Sequence, residues 1–143
     1  MKPLVLLADG DAELCDLYQM FLTDCGYEVD IALDGLECLD KLRQMNPDVL
    51  VLDLGLHWGG GDGILAWLRK ERALSAIPVI LTANALHTLD FAKDFGRPVT
   101  AILLRPFAPE SLLESLRACL DPDAHDAAYI WHRATSKTEL FIG

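Results

Sequence analysis

The stretch DVLVLDLGLHWGGGDG (residues 48–63) decides the fold of this chain. Its first part is a nearly continuous apolar run, which is typical of a strand covered by helices on both faces of a parallel sheet. The run ends on Asp53, and a loop with Trp58 and three consecutive glycines follows. Because burial of a carboxylate is costly, Asp53 either caps the next element or takes part in chemistry at the end of the strand.

Four more apolar runs alternate with helical patterns on either side of this strand. The sequence predicts strands at 4–8, 27–32, 48–53, 77–82 and 99–104, and helices at about 14–25, 35–45, 63–72, 86–95 and 109–120. Strict alternation of this kind indicates an α/β fold, a doubly wound five-stranded parallel sheet with right-handed crossovers and helices on both faces. We expect one domain over residues 1–120 and a C-terminal tail, without an assigned structure, over residues 121–143.

The amino-acid composition excludes some classes of protein. The 143 residues carry a formal net charge of −10, which argues against nonspecific binding to nucleic acid or to an anionic membrane. No apolar stretch is long enough to span a bilayer, and the N-terminus lacks the pattern of a secretory signal, so we expect a cytoplasmic protein. The cysteines are then expected to be buried small side chains in a reducing compartment: Cys15, Cys25, Cys38 and Cys119.

Polar side chains follow the predicted strands at their carboxyl ends, where open parallel sheets bind ligands. Asp9 and Asp11 follow the first strand, Asp53 ends the third, Thr82 ends the fourth and Arg105 follows the fifth. Converging carboxylates suit Mg²⁺, and a hydroxyl with a guanidinium suits a phosphoryl group. Each residue also has a structural explanation by itself, for example as a helix cap or a surface charge. Because all of them are predicted at one edge of the sheet, a binding site for Mg²⁺ and a phosphoryl group is favoured.

Four blocks of sequence resemble, in the same order, the receiver domain of two-component response regulators, and chemotaxis regulators in particular. The blocks are VLLADGDAEL, PDVLVLDLGL followed by GDG, IPVILTA, and LLRPF. The resemblance spans residues 3 to about 120 and implies the flavodoxin-like receiver fold. It also implies that Asp53 accepts a phosphoryl group from a sensor histidine kinase or a phosphotransfer protein. A downstream protein target would then respond to the phosphorylated form.

The resemblance also implies a magnesium site. Mg²⁺ would be held by Asp9, Asp53 and the backbone carbonyl of Gly55, with Asp11 as a further candidate ligand. However, Gly10 stands where the family has an acid that binds the metal directly. We therefore expect Mg²⁺ binding to be weakened unless Asp11 or a water molecule substitutes.

Further roles carried over from the family concern the ends of the last two strands. Thr82 would donate a hydrogen bond to the phosphoryl group, and Arg105 would form a salt bridge with it where the family has lysine. Pro106 would follow a cis peptide bond, and with Phe107 and Ile102 it would belong to the switch and partner surface. Ile102 stands where an aromatic residue is common, so we expect the aromatic switch to be absent. Arg105 is longer than lysine and planar, and can lie across Asp53 into the space of the metal.

The leading hypothesis is a stand-alone receiver that is phosphorylated on Asp53 and signals through protein contacts. It would have no enzymatic activity beyond Mg²⁺-dependent self-phosphorylation and autodephosphorylation. The alternative is a degenerate receiver that binds proteins independently of phosphorylation. A nucleotide- or flavin-binding protein is disfavoured, because the acidic segment DGDAEL after the first strand would repel phosphate. Nucleic acid and membrane are not expected as partners, whereas a homodimer is compatible with the sequence.

Overall fold

The computed structural model describes residues 1–57, 60–74, 76–84 and 99–121, and these form a five-stranded parallel sheet with helices on both faces. The elements in chain order are β1 (Leu4–Ala8), α1 (Ala12–Asp24), β2 (Glu28–Ala32), α2 (Gly35–Met45), β3 (Val49–Asp53), α3 (Gly60–Lys70), β4 (Val79–Asn84), β5 (Val99–Arg105) and α4 (Pro109–Leu120). The strand order is β2-β1-β3-β4-β5, so the α/β fold class is confirmed. Trp58, the helix predicted at 86–95 and residues 122–143 lie outside the described residues.

Most predicted boundaries agree with the structure, and α3 and β4 differ most. Helix α3 begins three residues before the predicted start, because Gly61 belongs to its first turn and not to a flexible loop. A Cβ atom at Gly61 would lie 2.7 Å from the Cα atom of Leu54, so the turn packs directly on the end of β3. Strand β4 extends to Asn84, two residues beyond the prediction, because Asn84 pairs with Arg105 of β5.

Two apolar clusters cover the two faces of the sheet. One cluster packs the sheet against α2 and α3, mainly through Cys38, Leu42, Ile64, Leu65 and Leu68. The other packs it against α1 and α4, mainly through Cys15, Tyr18, Leu22, Leu112 and Leu116. Strands β1 and β3 lie between these clusters, which explains their continuous apolar sequence. Strand β2 lies at an edge of the sheet.

Three apolar residues of the predicted helices are exposed. Leu17 is 63% exposed and Leu36 is 59% exposed, because each lies one residue, roughly 100° of rotation, from the buried stripe of its helix. Cys25 is exposed at the C-terminal cap of α1, so the expectation of buried cysteines was wrong for this residue. All four cysteines are free, and Cys15 and Cys38 are buried as expected.

The start of α2 generates a test of the fold. Asp34 is the N-cap residue, and its Oδ1 atom accepts a hydrogen bond of 2.9 Å from the backbone N–H of Glu37. Since an N-cap side chain satisfies an otherwise unpaired donor, Asp34→Ala is expected to lower the free energy of unfolding by about 1 kcal/mol in urea denaturation. Asp40→Ala, on the exposed side of the same helix, is the control and should change it by less than about 0.5 kcal/mol. Equal effects of the two substitutions would contradict the capping role.

Candidate functional site

The carboxyl ends of four strands bring the predicted polar residues together. Asp53 at the end of β3 is the register partner of Thr82 in β4, so the two side chains stand next to each other on the sheet. Arg105 ends β5, and Asp9 follows β1 directly. The neighbouring positions of β1, β3, β4 and β5 in the parallel sheet place all four side chains at one edge.

A single nitrogen atom of Arg105 connects this group. Its Nη2 atom lies 2.7 Å from Oδ2 of Asp9, 3.2 Å from Oδ1 of Asp53 and 3.2 Å from Oγ1 of Thr82, and its two hydrogens are shared among these three acceptors. The hydroxyl of Thr82 donates in turn to Oδ1 of Asp53 at 3.3 Å. Arg105 therefore lies across Asp53, and one guanidinium faces two carboxylates, which leaves one net negative charge.

Burial and neighbouring charges shift the pKa values of this group. Burial raises the pKa of Asp53, and the negative charge of Asp9 raises it further, while Arg105 and Thr82 counteract part of the rise. Burial by itself would lower the pKa of Arg105, but the hydrogen bond and charge of Asp9 and the charge of Asp53 raise it overall. Arg105 thus stays protonated, and the ionised form of Asp53 is less stable in the site than in water.

Asp11 lies beside the site with a structural role. It is the N-cap residue of α1, and its Oδ1 atom accepts the backbone N–H of Leu14 at 3.1 Å. Its own backbone N–H donates to Oδ1 of Asp9 at 2.9 Å. The capping alternative that the sequence left open therefore describes Asp11 here. At Gly10, the nearest atom to an added Cβ would be the carbonyl oxygen of Leu33 at 3.6 Å, so nothing in the packing requires a glycine there.

The carboxylate oxygens of Asp9 and Asp53 fit Mg²⁺ poorly while Arg105 holds this position. Both oxygens of Asp9 and Oδ1 of Asp53 already accept hydrogen bonds. The remaining oxygen, Oδ2 of Asp53, lies next to Gly55. A Cβ atom added to Gly55 would be 3.3 Å from it, so the glycine leaves this oxygen open. In the part of the chain that the structure describes, no three His, Cys, Asp or Glu side chains are grouped so that they would hold a metal ion.

The predicted switch residues after the site differ in their exposure. Ile102 is 1% exposed and lies in the cluster beneath α2 and α3, so it does not reach the surface, and its part in a switch stays a prediction. The peptide bond between Arg105 and Pro106 is cis, as the resemblance implied. Pro106 is exposed and Phe107 is half-buried. Of the three residues, only Pro106 and Phe107 reach the surface.

Three contacts near the site have no signal in the sequence. The ring of Phe107 stacks on that of Tyr18 in α1, with centroids 5.9 Å apart, and the guanidinium carbon of Arg105 lies 5.9 Å from the centroid of Phe107. The thiol of Cys15 donates to the backbone carbonyl of Asp9 at 3.4 Å. Burial, with smaller contributions from nearby acids, raises the pKa of Cys15 to about 12, so its proton stays in place for this bond.

Comparison with known proteins identifies the family. A family model described as the response regulator receiver domain matches residues 5–117. The chain belongs to this family. The receiver resembles chemotaxis response regulator CheY4 of Vibrio cholerae with a TM-score of 0.76 and 27% identity, covering 84% of this chain and 100% of that protein. The receiver fold predicted from the sequence is therefore confirmed.

The receiver also resembles longer regulators. It is 35% identical to the probable transcriptional regulator ycf29 of Pyropia yezoensis over 137 residues, which is 95% of this chain and 61% of that protein. It is 30% identical to the DNA-binding dual master transcriptional regulator RpaA of Synechocystis over 118 residues, 82% of this chain and 49% of that protein. The receiver thus spans about half to three-fifths of the length of these two relatives.

The family assigns the chain to two-component signalling. Receiver domains are generally signalling modules without enzymatic activity of their own, bind Mg²⁺ and interact with histidine kinases or phosphotransfer proteins. Both relatives are named as transcriptional regulators, and one of them as DNA-binding. The expectation that nucleic acid is not a partner is therefore unsupported. No helix within the described ranges combines the length and apolar character that crossing a membrane demands.

The raised pKa of Asp53 predicts how its replacement changes stability with pH. The pKa of Asp53 is higher in the folded chain than in the unfolded chain. The stabilising contribution of Asp53 is therefore fully present at a pH below the unfolded pKa, where the side chain is protonated in both states. It is lost as the pH rises through the folded pKa, because the buried side chain then ionises. Asp53→Asn is therefore expected to raise the free energy of unfolding at pH 7 by more than the roughly 0.5 kcal/mol scatter of surface substitutions.

The measurement is urea denaturation in EDTA from neutral pH down to the acid limit of folding. The advantage of Asp53→Asn should shrink as the pH falls, because protonated Asp53 carries no charge either. Asp40→Asn, at an exposed position of α2, is the matched control and should show no such trend. A destabilising effect of Asp53→Asn at pH 7 would show that the hydrogen bonds of the carboxylate outweigh its burial.

Proposed function

We propose that Asp53 of this receiver accepts a phosphoryl group from a sensor histidine kinase or a phosphotransfer protein, and that the modified chain signals through protein contacts. The observation that carries the proposal is the position of the Asp53 carboxylate at the end of β3. Its side chain is 19% exposed, so a donor can reach it, and its Oδ2 atom accepts no hydrogen bond from the described residues. An oxygen with free lone pairs at an open strand end is suited to attack phosphorus.

The proposed transfer is a displacement at phosphorus. An oxygen of Asp53 forms the new bond to phosphorus, while the bond from phosphorus to the imidazole nitrogen of the donor breaks and its electron pair leaves with that nitrogen. Phosphoryl transfer depends mainly on positioning and on stabilisation of negative charge. Arg105 and Thr82 already lie 3.2 and 3.3 Å from Oδ1 of Asp53, so both can donate to oxygens of the incoming group.

We propose that Mg²⁺ binds more weakly here than in the family at large. Asp9, Asp53 and the backbone carbonyl of Gly55 would hold it, and the bound ion would neutralise charge on the phosphoryl oxygens. Gly10 supplies no carboxylate, and Arg105 already uses one oxygen of each acid. The contribution of this chain is therefore the positive charge of Arg105 at the acceptor.

The proposed output surface lies around Pro106 and Phe107. A phosphoryl group on Asp53 would compete for the guanidinium of Arg105, which also packs on Phe107. Because Phe107 stacks on Tyr18, movement of Arg105 would change the contact between β5 and α1. Phosphorylation would then favour one of two arrangements of Phe107 that a downstream protein distinguishes. The proposed partner of this surface is a protein, and a homodimer stays a prediction.

A second candidate is a binding module that works without phosphorylation. The ion pairs of Arg105 with Asp9 and Asp53 favour it, because they satisfy the site internally. The absence of a carboxylate at Gly10 favours it too. In this case Arg105 would hold one arrangement of Phe107 permanently, and the partner would bind the same surface whether or not a donor is present.

Intact-mass measurement after incubation with acetyl phosphate separates these functions. We expect the mass of one phosphoryl group to be added to the wild-type chain and to be absent from Asp53→Asn, because the amide of that variant offers no carboxylate to attack phosphorus. Asp40→Asn, with an exposed acid removed, should be phosphorylated like the wild type. An adduct in Asp53→Asn, or no adduct with acetyl phosphate, phosphoramidate or a phosphorylated histidine kinase, would contradict the proposal and favour the binding module.

A further inference from the structure

We propose that the guanidinium of Arg105 is the cation that pairs with Asp9 and Asp53 when no metal ion is bound. This guanidinium and a divalent cation bind the two acids in mutually exclusive states. The acid pair then exists in one state paired with Arg105 and in another paired with the ion, and the second state frees Arg105 from Phe107. The inference rests on the proposed function only in placing the acceptor site at Asp53. It concerns the competition of two cations in the unphosphorylated chain.

The first argument is space. The Nη2 atom of Arg105 lies 2.7 Å from Oδ2 of Asp9 and 3.2 Å from Oδ1 of Asp53, so an N–H group fills the volume between the two carboxylates. Mg²⁺ needs its oxygen ligands at about 2.0–2.1 Å in a nearly octahedral arrangement. An ion that used both oxygens would therefore need the volume that Nη2 fills.

The second argument is charge. Asp9 and Asp53 together carry two negative charges, and Arg105 cancels one of them. A divalent cation beside a protonated guanidinium would meet repulsion that two carboxylates cannot offset, since Gly10 supplies no third one. The carboxylate of Asp11 is directed to the backbone of Leu14 as a helix cap. The site thus has enough negative charge for one cation.

The third argument is the number of contacts that hold Arg105. Besides the two acids, Nη2 donates to Thr82 at 3.2 Å, and the guanidinium lies over the ring of Phe107. Burial disfavours the charged form of Asp53, so this acid gains from a permanent cation. A guanidinium can donate through Nη2 and at the same time place its flat face over the ring of Phe107, which a shorter ammonium group cannot do. Displacement of Arg105 therefore breaks a set of contacts, and divalent binding is weakened accordingly.

A titration with Mg²⁺ alone, followed by calorimetry, tests the competition without any phosphodonor. Four proteins are compared: the wild type, Gly10→Asp, Arg105→Gln and the double variant. Gly10→Asp restores an acid at a position with room for a side chain, so it makes Mg²⁺ binding measurable. In the Gly10→Asp background a third acid offsets the guanidinium charge, and only the overlap of Nη2 with the volume of the ion remains. We therefore expect Arg105→Gln to raise the Mg²⁺ association constant at least about tenfold in the chain with Gly10 and by a smaller factor, about threefold or more, in the Gly10→Asp background. Unchanged or weaker binding in that background overturns the proposal.

Matched variants separate competition from other effects of a lost charge. Arg43→Gln removes an equal charge from an exposed arginine that lies over Trp67, with the guanidinium carbon 5.2 Å from the ring centroid. It should change the association constant less than about twofold, because surface charges at a distance are screened. An increase equal to that of Arg105→Gln would assign the effect to net charge and overturn the proposal.

Arg105→Lys keeps the charge and covers the case in which Arg105→Gln does not fold. The ammonium group sits on a shorter side chain and has no planar face to pack on Phe107, so it is held less firmly in the site and this variant should bind Mg²⁺ more tightly than the parent with arginine. Equal binding by the two overturns the proposal. No phosphodonor is present in the titration, so its results do not depend on the mass measurement. If Mg²⁺ competes with Arg105 but no phosphoryl adduct forms, phosphorylation is refuted and this inference remains intact.

Discussion

The ion pairs of Arg105 with Asp9 and Asp53 are the interactions on which the rest of the site depends. Asp9 is only 7% exposed, and a carboxylate at that depth is costly unless a cation or hydrogen-bond donors compensate its charge. Arg105 supplies this compensation at 2.7 Å, and it joins the end of β5 to the residue that follows β1. Two acids side by side at a sheet edge require a cation at all times. Whether that cation is a side chain or a metal then determines what the site can do.

The precision of this arrangement comes from the sheet and not from the loops around it. Register pairs Asp53 with Thr82, and Asn84 with Arg105, so the spacing of the side chains follows from backbone hydrogen bonds between strands. Apolar clusters on both faces fix the strands, because close-packed interiors leave little room for displacement. A guanidinium with three acceptors needs such a frame, since a shift of one strand would lengthen at least one of its hydrogen bonds.

The sequence predicted the elements that carry strong local signals and the convergence of the site, but not its internal contacts. Strand β1 and helices α2 and α4 have the predicted bounds, because an apolar run or a helical period is a local property. The gathering of acids at one edge followed from topology alone. By contrast, the stacking of Phe107 on Tyr18 joins residues far apart in the chain, and no local pattern encodes it. From the sequence Asp11 could cap a helix or bind a metal, and the geometry of α1 shows the capping role.

The unequal contacts of Arg105 have a consequence for signalling. Its shortest hydrogen bond goes to Asp9 at 2.7 Å, whereas the contact with Asp53 is 3.2 Å long. The position of the guanidinium is therefore set more by Asp9 than by the acceptor, and Arg105 can keep Asp9 as a partner while it turns toward a group on Asp53. A phosphoryl group would change the balance between these two partners without expelling Arg105, whereas a metal on both acids would expel it. The contact of Arg105 with Phe107 responds differently to the two events, so one arginine can distinguish phosphate from metal.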